Sequence, residues 1–170
     1  MTRMGAIAIR HERDIAKEVV VAASRADVWV AWTTSEGAGS FFSPGAHIEL
    51  EPGGAYEIYF DPDALPGSRG SEGMRVLSYL PEEMLSFEWN APPRFPEARA
   101  GHERTWVVVR LDDAQEAGAT RVRLAHLGWR EGGQWEQVRE YFDRAWDTVL
   151  ARLVQRFASG PLDWETPDPA

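Results

Sequence analysis

The sequence of 170 residues contains no cysteine. That absence removes disulfides, thiolate zinc sites, iron–sulfur clusters and a cysteine nucleophile together, while leaving the redox compartment open. Positive charge is scarce as well: 18 Lys and Arg stand against 27 Asp and Glu, for a formal net charge of −9. This is the wrong sign for neutralising phosphates, so neither nucleic acid nor an anionic membrane surface is an expected partner. No window reaches the roughly 18 uninterrupted apolar residues of a membrane span. The apolar stretch at Gly5–Ile9 is far shorter than the core of a secretory signal, and the expectation is a cytoplasmic protein. Repeats and low-complexity segments are lacking too.

Recognisable polar chemistry is sparse. His11, His47, His102 and His126 do not stand at metal-ligand spacing, so neither a metal nor a cofactor is expected. Glu49, Glu51, Glu57 and Glu88 alternate with apolar residues and are read as facing water, which leaves no carboxylate pair for glycoside chemistry. Asp61, Asp63, Asp112 and Asp113 fall in turn-like stretches, where aspartate caps local backbone. The pairs Gly53-Gly54 and Gly132-Gly133 lack the surroundings of a phosphate-cradling loop.

What the chain does have is aromatic residues: eight Trp, seven Phe and four Tyr. At this length there is room for one domain with one core. Such an aromatic load serves either a dense interior or the wall of an apolar pocket.

The order of elements is legible from periodicity. Residues 15–21 read as a strand. Ser24 then caps a helix carrying Val28, Ala31 and Trp32 on one face, with Asp27 in the capping-box position and Gly37 and Gly39 at its end. Phe41 and Phe42 follow. Ile48 and Leu50 lead through Pro52-Gly53-Gly54 into alternating Tyr56, Ile58 and Phe60, a hairpin. A loop over 61–73 precedes a second hairpin, with Met74, Val76 and Ser78 on one arm and Leu85, Phe87 and Trp89 on the other. Residues 91–101, with three prolines, are read as irregular. Thr105, Val107, Val109 and Leu111 mark one strand, and Val122, Leu124 and His126 the next. Trp135, Val138, Phe142, Ala145, Trp146, Val149, Leu150, Leu153 and Phe157 step by three and four, the stripe of one long helix. Gly160-Pro161 ends it, with Gly160 expected in the left-handed αL conformation.

Strand, helix, a meander of about six strands and a long amphipathic helix make an α+β arrangement rather than a βαβ series. A curved antiparallel sheet of about six to seven strands is expected to wrap around the C-terminal helix, the helix-grip fold. Residues 1–13 are read as a flexible N-terminal segment, 14–160 as the domain and 161–170 as a loose tail.

From about residue 14 to 158 the chain resembles the START-like, Bet v 1-like superfamily, and within it the branch named after the C-terminal domain of the activator of Hsp90 ATPase. The resemblance is carried by K-E-V-V-V-A-A-S-R-A-D-V-W-V-A-W-T-T-S-E-G at 17–37 and E-P-G-G-A-Y at 51–56. It continues in Y-L-P-E-E-M-L-S-F-E-W at 79–89, T-R-V-R-L-A-H-L-G-W at 120–129, and the long helix with Trp146 and Leu150. Where relatives often place a Pro-Pro pair before the first helix, this chain has Ser24-Arg25. The resemblance implies an internal apolar cavity and no shared catalytic residue. The Hsp90 connection in the name is not itself an expectation for this chain.

The expected function is binding of a small apolar or aromatic ligand between the sheet and the C-terminal helix. The residues assigned to that space are Trp32, Phe41, Phe42, Tyr56, Ile58, Met74, Phe87, Trp89, His126, Trp129, Trp135, Phe142 and Trp146. His126 has two readings. It is either hydrogen-bonded within the core, the preferred reading, or a ligand donor or general base. An enzyme alternative, cyclase- or hydrolase-like, would join it to Tyr141. A protein-interaction alternative would use the outer surface. Trp106 falls on the parity opposite to Val107 and Val109, and its outward position raises the prospect of a homodimer.

Overall fold

The computed structural model describes residues 13–165. The N-terminal stretch over 1–12, with Gly5–Ile9 and His11, and the tail over 166–170 lie outside the described residues.

Among the described residues seven strands and four helices follow in the order β1 (Ile15–Val21), α1 (Arg25–Thr33), α2 (Ser35–Gly39), β2 (Gly45–Ile48), β3 (Tyr56–Tyr59), β4 (Val76–Leu80), β5 (Met84–Trp89), α3 (Pro96–Ala100), β6 (Thr105–Asp113), β7 (Thr120–Leu127) and α4 (Trp135–Ser159). Five strands form one antiparallel sheet in the order β1-β7-β6-β5-β4, and β2 pairs with β3. Isolated bridges Ala55↔Arg75 and Tyr59↔Gly70 tie β3 to the chain leading into β4. The main sheet thus has five strands rather than the expected six to seven, because β2 and β3 pair separately and reach the chain before β4 only through isolated bridges. The arrangement is a helix grip, with α4 as the long C-terminal helix.

Local chemistry explains the boundaries. Ser24 caps α1, its hydroxyl accepting from the Asp27 amide at 3.2 Å, and Val28, Ala31 and Trp32 are buried on one face. Along β6 the residues Thr105, Val107, Val109 and Leu111 are buried, and along β7 Thr120, Val122, Leu124 and His126. That strict alternation belongs to a sheet with one face on the core. At 25 residues α4 is about 37 Å long and buries Trp135, Val138, Phe142, Trp146, Val149, Leu150 and Leu153.

Four details depart from the pattern read above. Gly37 and Gly39 do not simply end α1; they lie in the separate helix α2, capped by Thr34, whose hydroxyl accepts from the Gly37 amide at 2.9 Å. The proline-rich stretch contains α3, because Pro96 occupies the first turn, where its missing N–H costs nothing. In β4 the alternation breaks at a register shift between Val76 and Ser78. Gly160 has φ +97° as expected of a glycine stop, yet its ψ of 178° is extended rather than αL, and its amide donates to the Arg156 carbonyl at 2.9 Å.

The chain after Pro161 is docked. The Leu162 amide donates to the Ser40 carbonyl at 3.0 Å, and the Trp164 indole N–H to the Gly39 carbonyl at 2.7 Å. The Arg152 guanidinium lies 5.2 Å from the Trp164 ring centre. The loose tail expected over 161–170 is thus, through residue 165, fastened to α2.

Candidate functional site

The aromatic side chains form one continuous network. Trp32 packs edge-on against Phe41 and Phe42, with ring centres 5.0 and 5.5 Å apart. Phe42 reaches Trp89 and Trp146 at 5.9 and 5.8 Å, and Trp89 reaches Trp146 at 5.6 Å. Tyr56 stacks on Phe87 at 4.0 Å, and Phe87 meets Trp89 at 5.5 Å. Alternation on β3 and β5 and the three-four spacing on α4 aim these rings at the same interior, where offset and edge-to-face pairs add to the gain from burial.

The network is not filled on one side. A cavity of about 330 Å³ opens between α4, the end of β5 and the loop after β3. Its apolar wall is Phe42, Phe60, Trp89, Phe142, Ala145, Trp146 and Val149, with Pro92 and Pro93. Asp61, Ser68, Arg69, Gly70, Ser71, Asn90 and Tyr141 complete it. The volume is at the lower end of the range usual for small-molecule sites, about 300–1,000 Å³.

Of the thirteen residues expected around the ligand, Phe42, Trp89, Phe142 and Trp146 line this cavity. Trp32, Phe41, Tyr56, Ile58, Met74 and Phe87 are buried in the packed core instead. Tyr56 spends its hydroxyl on the Trp32 carbonyl at 2.8 Å, and burial pushes its pKa well up. Trp135 sits at the start of α4, and Trp129 in the connection after β7, its indole N–H donating to the His126 carbonyl at 2.9 Å. Phe60, Asn90, Tyr141, Ala145 and Val149 enter the wall without having been assigned to it. The α4 stripe already contained Ala145 and Val149, and Phe60 already belonged to the β3 alternation. Asn90 carried no sequence signal.

His126 is sealed, at 0% exposed. Trp146 Nε1 donates to its Nδ1 at 3.0 Å, and its Nε2 lies 2.7 Å from Thr105 Oγ1. Burial drives the imidazole pKa well below its usual value. With both ring nitrogens engaged and no contact with the cavity, the side chain occupies the core position that was the preferred reading, and no nitrogen is left to act as a base.

The cavity mouth is braced by one ion pair and its hydrogen bonds. Arg99 on α3 donates to the carbonyls of Gly67 at 2.7 Å, Gly70 at 2.8 Å and Ala91 at 2.7 Å, and lies 3.8 Å from the Glu72 carboxylate. Glu72 in turn accepts from the backbone amides of Gly67, of Arg69 at 2.5 Å and of Gly70 at 3.3 Å. Burial alone would raise the Glu72 carboxyl pKa. The three amide donors and the Arg99 charge outweigh it, and the pKa is lowered. Both lips of the opening, 67–72 and 90–93, are thereby tied to α3.

The geometry fits a comparison with known families. The family model described as activator of Hsp90 ATPase homolog 1-like protein matches residues 22–158. The chain belongs to that family. Structures of similar fold include protein MLL2253 from Mesorhizobium loti, with TM-score 0.68 and 17% identity over 88% of this chain and 99% of the other. The Aha1 dimer from Colwellia psychrerythraea gives 0.63 and 18%, over 86% and 97%. CalU16 from Micromonospora echinospora gives 0.62 and 22%, over 89% and 78%. A search of curated proteins gave no match. At these identities the likeness to the three structures is one of fold. Among the described residues no helix is long and apolar enough to cross a membrane.

Proposed function

We propose that this protein binds a small, mostly apolar ligand in the cavity between the sheet and α4. The observation that carries the reading is the cavity's composition and placement: aromatic rings from β5, α4 and the turn after α2 stop short of filling one space at the sheet–helix junction. Leaving such a space empty forgoes dispersion contacts along its lining, and a ligand that occupies it recovers them. The engagement of both His126 nitrogens argues for binding over a reaction that uses this residue as a base. Saturable quenching of tryptophan fluorescence by naphthalene-sized probes is the expected result, because Trp89 and Trp146 form the wall. Ala145→Phe, which projects a ring into the space, is expected to abolish quenching while leaving the melting temperature within a few degrees. Absence of saturable quenching in the wild-type protein across aromatic and acyl probes would overturn the reading.

Self-association has separate support. Trp106 is 39% exposed on the outer face of β6, beside the half-buried Trp129, Leu127 and Gly128, and a relative of the same fold is described as a dimer. Sedimentation over a hundredfold concentration range is expected to show a dimer that Trp106→Ser weakens; a concentration-independent monomer would refute it.

A further inference from the structure

Asn90 is the one fully amide-bearing side chain in the cavity wall, and it is nine-tenths buried, at 9% exposed. Among the described residues its carboxamide makes no hydrogen bond to protein, although a buried amide without a partner carries a cost. Its polar atoms are nonetheless not among those sealed from solvent, and the residue lines the cavity. The preceding residue in the same wall, Trp89, has an indole N–H that is sealed and has no acceptor. A carboxamide without a protein partner thus follows directly on a sealed indole N–H where β5 ends, beside an apolar space.

From this juxtaposition we propose that Asn90 is the specificity-determining residue of the cavity, and that it selects an aromatic ligand bearing an amide-like group, a hydrogen-bond donor adjacent to an acceptor. The inference rests on the ligand-binding reading above and adds the polar end of the ligand to it. A carboxamide presents one acceptor oxygen and two N–H donors in one plane. A group of the same kind pairs with it through two bonds at once, N–H to oxygen in each direction, whereas a ketone can accept only. A site built around such a group rejects analogues that leave it unpaired, because the desolvated amide then stays unsatisfied.

Three probes of nearly equal size separate the terms: 2-naphthamide, 2-acetylnaphthalene and 2-isopropylnaphthalene, which offer donor and acceptor, acceptor only, and neither. Titration of the wild-type protein by tryptophan fluorescence is expected to place the amide about tenfold tighter than the ketone and the hydrocarbon weakest, on the scale of about one net hydrogen bond per step. Asn90→Leu, similar in volume, is expected to erase the ordering by weakening the amide while holding or improving the hydrocarbon. Its melting temperature should stay near that of wild type, since no protein hydrogen bond is lost. Hydrocarbon binding equal to amide binding in the wild-type protein would overturn the role of Asn90 and leave the cavity reading intact. Failure of all three probes would overturn both. Should Asn90→Leu not fold, the wild-type ordering decides: amide tightest supports the proposal, and equal binding of the three probes overturns it.

Discussion

The indole N–H of Trp146 on α4 donates to Nδ1 of His126 on β7 at 3.0 Å, joining the long helix to the centre of the sheet by a polar bond inside an otherwise apolar interface. An indole N–H can only donate, so Nδ1 is the acceptor and the imidazole hydrogen sits on Nε2. Nε2 then donates to Thr105 Oγ1 at 2.7 Å, and the Thr105 hydroxyl donates to the Trp89 carbonyl at 3.1 Å. Four residues from three strands and one helix are satisfied in one direction, and the chain works only with a neutral imidazole.

Acid sensitivity follows from that neutrality. An unfolded histidine takes up a proton near pH 6.5, while the buried ring holds its pKa well below that. Below pH 6.5 the unfolded state therefore binds more protons than the folded one, and stability falls as pH falls, by at most about 1.4 kcal/mol per pH unit for this group. Urea unfolding of the wild type and His126→Gln at pH 7.5, 6.5 and 5.5 is expected to show a shallower decline in the variant. Parallel declines would remove His126 as the source.

The brace at the mouth titrates in a lower window. Folding lowers the Glu72 pKa, so its contribution is present above the unfolded carboxyl value near 4.3 and is lost as pH falls through the folded one. Glu72→Gln is expected to cost about 1–3 kcal/mol at pH 7, the scale of hydrogen bonds to a charged group. The gap from wild type should close toward pH 3. A gap of the same size at both pH values would mean the carboxylate charge is not what holds the loop.

Arg99→Ala removes donors to three carbonyls on both lips. Amide hydrogen exchange over residues 67–72 and at Asn90 and Ala91 is expected to speed up by tenfold or more, with β6 and β7 unchanged. Uniform acceleration would point to global destabilisation instead.

Gly128 lies directly beneath Trp106. A Cβ there would stand 2.3 Å from the indole ring, and its φ is +82°. Gly128→Ala is therefore expected to cost about 1–3 kcal/mol from clash and left-handed backbone together. Adding Trp106→Ser should recover the clash part alone, which double-mutant unfolding measures. No recovery would show that the backbone conformation accounts for the whole cost.

Much of this architecture is written locally in the sequence. Period-two runs at 105–111 and 122–126, the Ser24 cap and the three-four stripe of α4 each depend on side chains a few residues apart, so they fix elements and their buried faces without tertiary knowledge. They also placed Phe42, Trp89, Phe142 and Trp146 at one interior. Whether an inward ring meets another ring or an empty space depends on how volumes from distant segments add up, and no local pattern encodes that sum. Tyr56 and Phe87 close on each other at 4.0 Å and belong to the core, while Trp89, two residues along the same strand face, borders the cavity. Arg99 brings 67–72 and 90–93 together through backbone carbonyls, which every residue possesses, so its partners leave no trace in the sequence. Asn90 was silent for a different reason: nothing near it in the sequence says that the fold buries its carboxamide beside the cavity without a protein partner.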